Sequence, residues 1–161
     1  MKAAADYLPT SFWLMKTEPS VFSFEDLVRR KQEPWDGVRN YQARNFMRDH
    51  MRCGHRVLVY HSGIDQPAIV GAAEIVGEAV PDLSACDSKS PYHDPRATKA
   101  EPIWVKVTIG KPLAFANEVT LAAIKSDPVL CDMLVARKGQ RLSIQPVSQH
   151  EFELILKRAS I

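Results

Sequence analysis

Few residues in this chain are of the kinds that staple, export or anchor a protein. Cysteine is scarce: Cys53, Cys86 and Cys131 lie far apart and form no C-x-x-C pair. That spacing argues against a disulfide frame or a thiolate zinc site and reads as reduced thiols in a cytoplasmic protein. Long apolar runs are missing as well. The longest, Ala68 to Val80, is interrupted by Glu74 and Glu78, and Met1 to Thr10 holds one Lys and no apolar stretch. Neither a membrane span nor a secretory leader is expected. The common catalytic signatures are also absent: there is no Gly-rich phosphate loop, no G-x-S-x-G and no H-E-x-x-H. Five histidines form no pair at ligand spacing, so neither a metal nor a cofactor is expected. His61 and Ser62 are neighbours, but successive strand residues point to opposite faces, which spoils a nucleophile–base contact.

What is present describes one domain. The chain has 161 residues, 45% of them hydrophobic and 25% charged. A fold of this size buries about 70% of the surface its unfolded chain exposes and needs no staple. A β-prone run, Phe12 to Lys16, stops at Glu18-Pro19. Ser23 with Asp26 three residues later is a helix start, with Phe24, Leu27 and Val28 at helical spacing. A loop around Pro34-Trp35-Asp36-Gly37 precedes Asn40, an N-cap for a helix from Tyr41 to about Met51 that Gly54 ends. Strands follow at Arg56 to His61 and Pro67 to about Val80. Residues 81–102 contain four prolines and read as a long irregular loop, a segment type that often serves as a lid. Ile103 to Ile109 is the clearest strand. Short helices are expected at Thr120 to Lys125 and Pro128 to Leu134, and a last strand at Leu142 to Ile144. A Ser148–Glu151 capping box then opens a C-terminal helix through Lys157. Strands mixed with short helices, without a βα repeat, indicate an α+β domain built on a curled sheet or small barrel.

The net charge of +2 hides a local imbalance. Between Arg29 and Arg56 stand eight basic residues (Arg29, Arg30, Lys31, Arg39, Arg44, Arg48, Arg52, Arg56) against three acids (Glu33, Asp36, Asp49). Such a stripe attracts phosphate without an extreme overall charge. On the helix, Arg44, Arg48 and Arg52 recur every four residues beside an apolar stripe of Ala43, Phe46, Met47 and Met51. A solvated helix face and a phosphate-binding face both fit that pattern. Trp35 reads two ways too. It is a core residue by default, yet a loop-borne Trp can stack on a base for about 1–3 kcal/mol.

Several stretches together resemble a known family. Trp13 to Pro19, Trp35 to Asn45 (W-D-G-V-R-N-Y-Q-A-R-N), Tyr60-His61-Ser62, Ile69 to Glu74, Tyr92 to Pro95, Pro102 to Trp104 and Arg141 to Val147 are similar to EVE domain proteins of the thymocyte nuclear protein family. The likeness runs from about Phe12 to Leu156, with Thr17 standing where the family pattern has Ser. It implies an α+β fold of the PUA-like kind, a curled β-barrel flanked by short helices. It also implies a 12–158 domain behind a 1–11 extension, and a monomer that reads a modified base, modified cytosine in DNA being favoured. By the same likeness Lys16, Thr17, Trp35, Val38, Asn40, Tyr41, Tyr60, His61 and Ser62 would bind the base, and Arg39, Arg44, Arg48 and Arg52 would contact phosphates. The partner would be nucleic acid or a modified nucleoside, RNA included, without cofactor, metal or membrane. Two rival readings are an amidohydrolase like some ASCH proteins, using Lys16, Thr17 and Glu74, and a protein-interaction module using the 81–102 loop.

Overall fold

The strand Phe12–Thr17 (β1) does not alternate in polarity because both of its faces are covered. Trp13, Leu14 and Met15 are all fully buried, Trp13 and Met15 in one apolar cluster and Leu14 in another. The strand Arg56–His61 (β3) behaves the same way. It pairs with β1 in parallel, Leu14 beside Leu58 and Met15 beside Val59. Period-two alternation therefore distributes these side chains between two cores, one on each side of the sheet.

The computed structural model describes residues 2–161. The other strands are Gln32–Trp35 (β2), Ala68–Pro81 (β4), Val105–Thr120 (β5) and Ile144–Val147 (β6). All six form one mixed sheet in the order β2-β5-β4-β3-β1-β6, open at β2 and β6. Helices Phe24–Arg30 (α1) and Tyr41–Asp49 (α2) cover one face with Leu27, Phe46 and Met47. Helices Leu121–Ser126 (α3) and Gln149–Arg158 (α4) cover the other with Ile124, Phe152 and Ile155. The observed class is the α+β class expected, of the PUA-like kind.

The caps form where the sequence places them. Ser23 Oγ accepts from Asp26 N–H at 3.1 Å while Asp26 returns a carboxylate to Ser23 N–H at 2.9 Å. Ser148 and Glu151 repeat the arrangement at α4, at 3.1 and 2.9 Å. Asn40 Oδ1 accepts from Ala43 N–H at 3.0 Å and starts α2.

Four expectations need correction. Trp35 is not loop-borne: it closes β2, paired opposite Val107 of β5. Pro34 hid this strand, but β2 is an edge, where a residue without an N–H is tolerated. The strand expected at Ile103 to Ile109 begins at Val105 and continues to Thr120. Its pairing with β4 shifts register at four points, and such irregularities bend a ribbon while breaking its alternation. Residues 128–134 form 3₁₀ turns rather than an α-helix. The last strand lies later than Leu142 to Ile144, at Ile144–Val147.

The long 81–102 segment is irregular but tied down. Asp82 is fully buried. Asp94 accepts the Trp104 indole N–H at 2.8 Å, and Trp104 with Ala85 and Ala97 forms a third small apolar cluster.

Candidate functional site

Trp35 sits between core and solvent. Its indole is 9% exposed and belongs to the cluster beneath α1 and α2. Phe22 meets it edge-on, with ring centroids 5.8 Å apart at 90°. A hollow of about 180 Å³ opens beside the pair, walled by Phe22, Trp35 and Tyr92 and edged by Arg30, Glu33 and Asp36. Tyr92 can approach because residue 37 is glycine. Gly37 has φ of +77°, and a Cβ there would lie 2.7 Å from the Tyr92 ring. Arg30 is already paired with both oxygens of Glu33, at 3.0 and 2.9 Å. Among the described residues the Asp36 carboxylate on this rim is in no ion pair, whereas that of Glu33 is. Partial burial and the nearby charge of Asp82 raise the Asp36 carboxyl above its ordinary range.

Five of the expected base-binding residues converge elsewhere, at the ends of β1 and β3. Lys16 lies beside Tyr60 and Thr17 beside His61, and Ser62 N–H donates to Thr17 carbonyl at 2.9 Å. None of the five lines the hollow. Thr17 Oγ1 donates to the Phe22 carbonyl at 2.7 Å, and His61 Nε2 accepts from Phe24 N–H at 3.0 Å. These two side chains hold the segment that carries the Phe22 wall. His61 must be neutral to accept, and burial lowers its pKa accordingly. Lys16 points the other way, donating to the Gln140 carbonyl at 3.2 Å with its ammonium 5.8 Å from the Tyr60 ring.

Lys16, Thr17 and Glu74 are not gathered into a hydrolytic set. Glu74 stands opposite Arg56, whereas Thr17 stands beside His61, five residues further along β3. At about 3.3 Å per residue the separation along the strands is about 16 Å. Glu74 instead accepts from Lys111 at 3.2 Å.

The segment after Trp35 serves structure first. Val38 is buried in the core, and the Asn40 carbonyl oxygen is committed to the α2 cap. Arg39, expected on phosphate, uses all three of its nitrogens internally. It donates to the Tyr92 carbonyl at 2.9 Å, the Val38 carbonyl at 2.9 Å, Asp82 at 3.0 Å and Ser84 Oγ at 3.2 Å. Asp82 also accepts from Gly37 N–H at 2.9 Å. Burial pushes the Asp82 carboxyl up, but hydrogen bonds from Ser84, Gly37 and Arg39 outweigh it and hold the group below its usual range.

The helix expected to carry Arg44, Arg48 and Arg52 ends at Asp49, so Arg52 lies beyond α2 and the three arginines do not form a uniform stripe. Arg48 is chelated by Asp49 at 2.8 and 2.9 Å, and both side chains are exposed. Arg52 donates to the Met51 and Asp49 carbonyls at 2.8 and 3.1 Å. Arg44 turns toward Tyr41, its guanidinium 4.8 Å from the ring centroid. Tyr41 lies on Trp104, centroids 4.8 Å apart and planes at 29°, outside the Trp35 hollow.

Residues 11–158 match the EVE domain model. The chain is 38% identical to human thymocyte nuclear protein 1 over 91% of its own length and 73% of the relative's. Among solved structures, a Pseudomonas syringae protein is 42% identical with a TM-score of 0.87, covering 92% of this chain and 99% of that one. A crystal structure of human THYN1 protein in complex with 5-methylcytosine containing DNA is 38% identical with a TM-score of 0.84, covering 93% and 98%. This chain belongs to the EVE domain family.

The EVE match includes every wall of the hollow. The preceding residues still pack against this EVE domain: Ala4 and Leu8 adjoin the main core, and Tyr7 donates to the Asp132 carbonyl at 3.2 Å. A Zymomonas mobilis ASCH protein, 11% identical with a TM-score of 0.51, shares the fold. Among the described residues no group of three His, Cys, Asp or Glu side chains could hold a metal ion, and no helix is long and apolar enough to cross a membrane. Sequence reasoning missed Phe22 and Tyr92 as walls of the hollow. The available signal for Tyr92 was the family-like Tyr92 to Pro95 stretch within the 81–102 loop.

Proposed function

We propose that this protein binds DNA carrying 5-methylcytosine and takes the modified base, flipped out or single-stranded, into the hollow beside Trp35. A base inside a duplex could not enter such a site. The carrying observation is the juxtaposition of three aromatic walls with one acceptor, Asp36, in a cavity of about 180 Å³. The aromatic walls suit the ring and its methyl group. A carboxylate suits the exocyclic amine of cytosine, which offers a donor. The similar human protein in complex with 5-methylcytosine DNA supports the choice of base.

Thr17 and His61 act in this reading by positioning Phe22, and Ser62 by closing the β1–β3 end. Lys16, Val38, Asn40 and Tyr60 support the surrounding backbone. Arg44 and Arg48 on α2 and Arg52 just beyond its end contribute positive potential, while Arg39 ties the Gly37 turn to the loop that carries Tyr92. The protein works as a monomer in the cytoplasm, and RNA carrying the same base is a weaker competitor.

Calorimetric titration with a single-stranded oligonucleotide containing one 5-methylcytosine, against its unmethylated twin, tests the reading. One buried methyl contributes about 1 kcal/mol, so the methylated strand should bind roughly fivefold tighter. Asp36→Ala should weaken both strands alike, because both carry the amine. Trp35→Leu should erase the preference. Equal affinity of the wild type for the two strands refutes the reading.

A further inference from the structure

Tyr41, Trp104, Arg44 and Arg96 form a second surface on the far side of Arg39 from the hollow. Trp104 is 2% exposed and fixed by the bond to Asp94, whereas Tyr41, stacked on it, is 47% exposed. Arg44 lies 4.8 Å from the Tyr41 centroid and 5.9 Å from that of Trp104. A guanidinium on the face of Tyr41 opposite Trp104 would stand much farther from the indole than from the phenol. Arg44 therefore lies over Tyr41 on the Trp104 side, where its nitrogens donate to Asn45 Oδ1 at 3.1 and 2.9 Å and to the Ile103 carbonyl at 3.2 Å. Arg96 is 6.0 Å from the Tyr41 centroid, and its side chain is 63% exposed. Tyr41 is therefore a half-exposed ring backed by Trp104, with the Arg44 guanidinium over it on the Trp104 side and that of Arg96 within 6.0 Å of its centroid.

The two surfaces are joined. Arg39 lies 5.8 Å from the Tyr92 ring and 5.5 Å from the Trp104 ring, one wall of the hollow and the backing of Tyr41. Asp94 holds Arg96 at 2.9 Å, which fixes the guanidinium in place without covering its exposed part. An aromatic face backed by a rigid indole and bordered by an exposed arginine is what a nucleic-acid strand requires, since every base has a face to stack and every linkage a phosphate to neutralise.

We infer that Tyr41 stacks a base flanking the modified one, with Arg96 on the phosphate between them. The protein thus reads a short single-stranded segment rather than one nucleoside. This rests on the assignment of the modified base to the Trp35 hollow, and the two are separable by experiment.

The test uses single-stranded octamers with one central 5-methylcytosine or cytosine, titrated against wild type, Tyr41→Phe, Tyr41→Leu, Arg96→Lys and Arg96→Gln. Tyr41→Leu keeps an apolar cover on Trp104 while removing the ring, and thermal melting checks that it folds. It should bind both octamers about five- to 150-fold more weakly, the worth of one stacked base. Its ratio of methylated to unmethylated affinity should stay within twofold of wild type. Tyr41→Phe should restore affinity. Arg96→Gln should reduce the log–log salt slope by about 0.7, and Arg96→Lys should not. Octamer binding by folded Tyr41→Leu within twofold of wild type overturns the inference, as does a change confined to the methylation ratio. A wild type blind to methylation whose octamer affinity still falls in Tyr41→Leu would refute the hollow and leave the Tyr41 stack standing.

Discussion

The ring of Tyr92 rests on the bare Cα of Gly37. A Cβ at that position would fall 2.7 Å from Cε1, and the +77° φ is one that side chains rarely adopt. Two constraints therefore select glycine here, one steric and one conformational. Gly37→Ala should cost about 1–3 kcal/mol of stability. By displacing Tyr92 it should also remove the preference for methylated over unmethylated strands. Urea denaturation and paired titrations measure the two effects separately.

Asp82 is the knot between the Gly37 turn and the Tyr92 loop. It is fully buried and accepts from Gly37, Arg39 and Ser84. Removing one partner of a buried pair leaves the other charge uncompensated. Asp82→Ala should destabilise by about 3–5 kcal/mol, read from the urea midpoint at pH 7. In hydrogen exchange the loss of protection should concentrate in residues 36–39 and 82–94.

The Thr17 hydroxyl matters for what it holds. Thr17→Ser keeps the bond to the Phe22 carbonyl and should leave stability and methyl preference near wild type. Thr17→Val is similar in shape but strands that carbonyl, at a cost of about 1–3 kcal/mol. Looser packing of Phe22 should lower affinity for the methylated strand more than for the unmethylated one.

Two histidines couple stability to pH. His55 Nδ1 accepts from the Trp13 indole at 3.1 Å and from Arg52 N–H at 3.3 Å, while His61 Nε2 caps α1. Each must be neutral to accept, and burial lowers both pKa values below 6.5. As pH falls through the unfolded value of about 6.5, the unfolded chain binds protons that the folded chain refuses. The stability these groups contribute is thus complete above about pH 6.5 and is lost progressively below it. Urea midpoints from pH 7.5 to 5 should fall, and His61→Gln, an acceptor that does not titrate, should flatten the slope.

Local signals carried much of this fold. Ser23, Asn40 and Ser148 announce helices because a cap is chemistry between residues three apart, and all three form. β2 escaped notice because Gln32-Glu33-Pro34-Trp35 owes its strand conformation to pairing with β5, a contact with residues some 75 positions away. The far half of β5 was hidden by bulges that scramble alternation. At the candidate site, Trp35 and the arginines of α2 were visible as residue types. Their partners were not. Nothing local says that Arg39 is committed to Asp82 or that Tyr41 lies on Trp104, since both bonds join α2 and its approach to the loop before β5. Adjacent Lys16 and Thr17 point to opposite faces of a strand, and their separate partners, Gln140 and Phe22, follow from that.

The segment between Asp82 and Trp104 supplies Tyr92 to the hollow and Arg96 to the surroundings of Tyr41, yet contributes no strand to the sheet. Its footing is two carboxylates, the Arg39 bond to the Tyr92 carbonyl and a small apolar cluster of Ala85, Ala97 and Trp104. An exchangeable cassette has this layout: grafting the corresponding stretch from another EVE protein, with both aspartates retained, would reprogram ligand choice while leaving the scaffold's folding energetics intact.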